Sequence, residues 1–72
     1  MFDSAAVFIR VAPRDVNYVN RIMEGHEYLG VVTTVDKARG VLAVRATADT
    51  AAEVRAILAR LPVPIEFVEK PE

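Results

Sequence analysis

The sequence contains no cysteine. Disulfide staples, thiolate metal sites, thiol nucleophiles and cysteine-bound iron–sulfur clusters are therefore excluded. Histidine occurs once, at His26. Glu24, Glu27 and Asp15 could add oxygens to it, but a zinc centre normally draws on three or four converging ligands that include cysteine or several histidines, so no metal site is expected. Serine chemistry would rest on Ser4 alone, without the strand–turn–helix motif that exposes a nucleophile. The glycines at 25, 30 and 40 are isolated, which leaves no phosphate-cradling loop and no dinucleotide fingerprint. No run of one charge sign occurs. Nine basic and ten acidic residues are interspersed, for a net charge of -1. No linear basic patch speaks for nucleic acid. No apolar run approaches the ~20 residues that cross a bilayer, and Met1-Phe2-Asp3-Ser4 lacks the basic and apolar regions of a signal peptide. The expectation is a cytoplasmic protein with no membrane association, no metal and no cofactor.

What remains is apolar and periodic. Hydrophobic residues make up 53% of the chain, above the usual ~45–50%. At 7.9 kDa, one domain over residues 1–72 is expected, burying only about 60% of its extended surface. Apolar surplus in so small a chain points to surface covered by a second copy.

Residues 5–12 alternate with a period of two and are rich in β-branched residues, which predicts a strand ending at Pro13. Val16, Val19, Ile22 and Met23 recur at helical spacing and predict a helix over 15–25. Asp15 stands at its N-cap position, Gly25 stops it, and Asn17 and Asn20 lie off its apolar stripe. A strand over 29–36 follows. Lys37-Ala38-Arg39-Gly40 reads as a hairpin loop with Gly40 free to take positive φ. A third strand occupies 41–47. A second helix is predicted over 51–61, with Thr50 and Glu53 at capping-box spacing and Val54, Ile57, Leu58 and Leu61 as its buried stripe. Pro62 stops it. A short strand over 64–69 closes the chain, edge-like because of its prolines. The order βαββαβ is that of an α+β, ferredoxin-like sandwich. It predicts a four-stranded antiparallel sheet of order 4-1-3-2 with two helices on one face.

Parity then assigns the faces. Arg45 is costly to bury unpaired, so Leu42, Val44 and Ala46 face the helices while Val41, Ala43 and Arg45 face away. Val7, Ile9 and Val11 point inward; Phe8 and Arg10 point out. The second strand is read with Leu29, Val31, Thr33 and Val35 inward and Val32 and Thr34 out. In the last strand Ile65 and Phe67 are inward, Glu66 and Val68 out. The open face thus carries Phe8, Arg10, Val32, Thr34, Val41, Ala43, Arg45 and Val68 as a candidate interface or partner surface. A half-apolar sheet face is costly to leave in water.

The turn after the first strand is a second candidate. Arg14, Asp15, Asn17 and Tyr18 cluster at a helix amino terminus, where backbone amides favour an anion or the carboxylate of an amino acid. The bland alternative is that Asp15 caps the helix and Tyr18 packs over its first turn. His26, at the helix exit, is expected to meet free carbonyls there. A sheet that reads RNA stacks bases on exposed aromatics of its central strands. Here Phe8 is the one ring, accompanied by Arg10 and Arg45. No residue is assigned a catalytic role, and the sequence leans against an enzyme, although one assembled between subunits stays open.

The stretch from Asp15 through Tyr18, Glu24, Gly25, His26 and Thr34 to Asp36 resembles a small bacterial family known as domain of unknown function 4911. Tyr18, Glu24, Gly25, Thr34, Asp36 and Gly40 match its pattern. Val19 stands where a larger apolar residue is usual, and His26 lies near the family's aromatic. The resemblance brings no activity with it. The topology is also similar to that of ACT-type regulatory domains, whose first turn carries an Asp-x-Pro-Gly-like segment. The implied property is a small ligand held between subunits, but Ala12-Pro13-Arg14-Asp15-Val16 lacks the glycine. Small acylphosphatases share the topology too, and Arg14 and Asn17 do not reproduce their catalytic arrangement. Three classes follow: a non-catalytic binding or assembly domain that forms a homo-oligomer, an ACT-like sensor of a small anion or amino acid, and a weak RNA-binding module.

Overall fold

The alternating first segment becomes β1, Ser4–Val11, in the computed structural model, which describes residues 4–69. Pro13–Asp15 then form one 3-10 turn. They lead into α1, Val16–Glu24. The hairpin follows as β2, Gly30–Asp36, and β3, Val41–Thr47. α2 spans Ala48–Ala59 and β4 spans Ile65–Val68. The sheet order is β2-β3-β1-β4 with every pair antiparallel. This is the expected 4-1-3-2 order seen from the other edge. Both helices cover the same face of the sheet.

The core lies between the helices and that face. Val16, Val19 and Met23 of α1 and Ala51, Val54 and Leu58 of α2 are buried against Val7, Ile9, Leu42 and Val44. Each larger side chain removed from water contributes about 1.5–3 kcal/mol. The hairpin is closed by Gly40 at φ 73°, a left-handed conformation that favours glycine. The Gly40 carbonyl accepts from the Val11 amide at 2.9 Å, which ties the turn to the end of β1.

The local readings needed three corrections. Asp15 occupies the N-cap position but makes no side-chain cap hydrogen bond. Its amide already donates to the Ala12 carbonyl at 2.8 Å, so the chain enters α1 from a helical turn rather than an extended one. Gly25 does end α1, as expected, and it does so in the right-handed region, at φ -73°. Asn20 is not off the apolar stripe: it follows Val16 by one turn, and its Oδ1 is buried with no partner among the described residues. α2 starts three residues early because the capping box is Thr47 with Thr50. The Thr47 amide donates to Thr50 Oγ1 at 3.0 Å and the Thr50 amide to Thr47 Oγ1 at 3.3 Å.

The largest correction concerns the face of β2. Val32 pairs with Val44 and Thr34 with Leu42, so both lie on the helix face, while Val31 pairs with Arg45 and Thr33 with Ala43 on the open face. A regular hairpin starting from Asp36 opposite Val41 would instead bring Val32 to Arg45. A register shift between Thr34 and Asp36 inserts one residue, and one inserted residue reverses every side chain beyond it. Leu29 is buried but precedes the strand, so it does not set its phase.

Candidate functional site: the open face of the sheet

Three rows of side chains cross the uncovered face. Val31, Arg45 and Ala6 form the first; Thr33, Ala43, Phe8 and Val68 the second; Asp36, Val41, Arg10 and Glu66 the third. Phe8, Arg10, Val41, Ala43, Arg45 and Val68 therefore share the face on which parity put them. Val32 and Thr34 do not. Their places are taken by Val31, Thr33 and Val35, which the sequence reading turned inward. Only the register of the bulged hairpin, and no feature of composition, would have found them.

The face is not uniformly exposed. Val41 and Ala43 are only 3% and 6% exposed, because they sit in a central strand with neighbours on both sides. Val31 and Val35, on the edge strand, are 59% and 44% exposed. Free apolar surface is thus concentrated at the β2 side. On the β4 side Arg10 is held by Glu66: Nη2 donates to Oε1 at 2.6 Å and Nε donates to the same oxygen at 3.2 Å. This pair remains about half exposed. Arg45 is exposed and has no ion-pair partner among the described residues. Around it lies an open hollow of about 450 Å³ lined by Ala6, Phe8, Thr33, Val35 and Ala43. The arrangement offers apolar contact and one unpaired cation.

The first turn is different in kind. Arg14, Asn17 and Tyr18 are exposed and Asp15 is half-buried. The structure brings them near one another along the chain but links none of their side chains by a hydrogen bond among the described residues. His26 does not reach the helix carbonyls with its ring; its backbone amide does, donating to Met23 at 2.9 Å. The ring instead lies 6.0 Å from that of Tyr28. Among the described residues no group of three or more acidic or histidine side chains is placed to hold a metal ion. No described helix is long and apolar enough to cross a membrane.

The family model for DUF4911, a domain of unknown function, matches residues 9–65. The chain belongs to DUF4911. The match runs from within β1 to the first residue of β4. It therefore takes in Arg14, Asp15, Asn17 and Tyr18 and most of the open face, including the bulged β2 and Arg45. Phe8, Glu66 and Val68 fall outside the span that defines DUF4911 here. No curated protein and no solved structure matches the chain.

Proposed function

We propose that this DUF4911 domain is a non-catalytic binding or assembly module that pairs with a second copy through the open face of its sheet. The supporting observation is the pair Val31 and Val35, exposed on edge strand β2 beside a face that continues through Ala43 and Phe8 of the central strands to Val68 on the opposite edge. Exposed apolar side chains are stabilised by removal from water, and a two-fold axis lets one patch cover itself. The protein is read as cytoplasmic, in keeping with a sequence free of cysteine.

The test is the double variant Val31→Asp with Val35→Asp. Both residues are already exposed, so the fold tolerates the change. Burial of the new carboxylates against their symmetry mates is unfavourable. Folded monomers are expected, and a mass equal to that of the parent oligomer would refute the interface. Val41 and Val32 are unsuitable for this test, since one is shielded within the sheet and the other packs on the core.

The other classes draw less support. An ACT-like site near Arg14, Asp15 and Asn17 would need pre-organised donors, and these side chains are held by nothing described. RNA binding would need a second stacking ring beside Phe8, yet its neighbour on β3 is Ala43, and Arg10 is occupied by Glu66.

A further inference from the structure

We infer that the hollow beside Arg45 is a binding site for a small monocarboxylate with an apolar body, an aliphatic or aromatic acid. This goes beyond self-association, and because the hollow lies on the face proposed to pair, with Val35 in both, the ligand and the second copy would compete for it. Its volume of about 450 Å³ lies within the ~300–1,000 Å³ of small-molecule sites. Ala6 and Ala43 give a floor that ends at Cβ, and Phe8 and Val35 give apolar walls. Arg45 stands at the Ala6 end, opposite Ala6 in register, and Thr33 adds one hydroxyl.

The charges select the ligand. The same face carries two arginines, and one is neutralised within the chain by Glu66. Arg45 keeps a planar fork of five donors with no described carboxylate to take it. That fork matches one carboxylate in a bidentate pair. A phosphate would carry more charge than a single arginine answers, and the second arginine is engaged. The apolar walls favour a ligand whose remaining atoms are hydrocarbon.

The experiment is a two-dimensional ¹⁵N NMR titration of the whole chain with octanoate and, separately, with octanamide, its neutral counterpart. Light scattering is run on the same samples. Octanoate is expected to shift the amides of Ala6, Thr33, Ala43 and Arg45, and octanamide to bind at least about tenfold more weakly, the scale of one charged hydrogen bond. Arg45→Gln should remove that preference. Ala6→Leu, at an exposed position that fills the floor, should remove both while keeping a dispersed spectrum. The inference is overturned if octanoate shifts nothing, if the shifts map elsewhere, or if Arg45→Gln binds octanoate as the parent does. The two proposals fail separately. Self-association is decided by the mass measured without octanoate, and octanoate that neither shifts these amides nor dissociates the oligomer refutes the carboxylate site.

Discussion

Replacing Gly40 by alanine should be among the most damaging single-methyl changes in this chain. Gly40 has φ 73°, and a side chain in that region costs about 1 kcal/mol or more. Its Cβ would also stand 1.8 Å from the Val11 carbonyl oxygen and 2.9 Å from the carbonyl carbon. Both atoms are backbone of a central strand, so the overlap is relieved only by moving the turn. Forced shifts of that kind cost about 1–3 kcal/mol. Moving the turn also breaks the 2.9 Å hydrogen bond from the Val11 amide, a further loss of about 1 kcal/mol. The expected destabilisation is about 3–5 kcal/mol, against a total of roughly 5–15 kcal/mol for ordinary domains. At roughly 4–8 °C per kcal/mol for a chain of this size, Tm falls by more than about 12 °C. Gly25→Ala is the control. It has right-handed φ, and the nearest atom to its Cβ is the Ile22 carbonyl oxygen at 3.4 Å. It should be neutral or gain up to about 1 kcal/mol. Urea unfolding followed by far-ultraviolet circular dichroism reads both. A Gly40→Ala stability within about 0.5 kcal/mol of the parent, or an equal loss in Gly25→Ala, would refute the role given to the turn.

Leu58→Ala, at a side chain 1% exposed, should cost about 2–5 kcal/mol in the same assay; a loss below 1 kcal/mol would mean that α2 does not pack as described. Thr47→Ala should cost about 0.5–2 kcal/mol, and adding Thr50→Ala should cost less than its separate effect, because the two hydroxyls form one reciprocal cap. Glu66→Gln should change stability by less than about 1 kcal/mol, with the difference shrinking as salt is added, since the pair it breaks is half exposed.

Much of this fold was readable from residues because local and tertiary signals agree. β3 alternates around Arg45, whose charge fixes its phase, and its bounds are those expected. The Val54–Leu58 stripe and Pro62 marked α2, and Gly40 marked the hairpin. What escaped was information that neighbouring letters do not hold. β2 offers Val31 beside Val32 and Thr33 beside Thr34, so either phase looks apolar, and one bulged residue decides between them. The cap of α2 was placed a turn late because Thr50 fits two roles, as cap for Glu53 or as partner of Thr47. The candidate face was legible for Phe8, Arg10, Arg45 and Val68, which lie on strands of regular register with a fixed partner. It was not legible for Val31, Thr33 and Val35, whose place depends on the bulge. The shielding of Val41 and Ala43 was equally invisible, because it comes from the strands on either side.

The most direct test is the solution mass of the parent chain by light scattering over a concentration series. Pairing through the open face predicts a species of at least twice the 7.9 kDa chain mass that dissociates on dilution or in the Val31→Asp, Val35→Asp variant. A mass of 7.9 kDa at every concentration would contradict it.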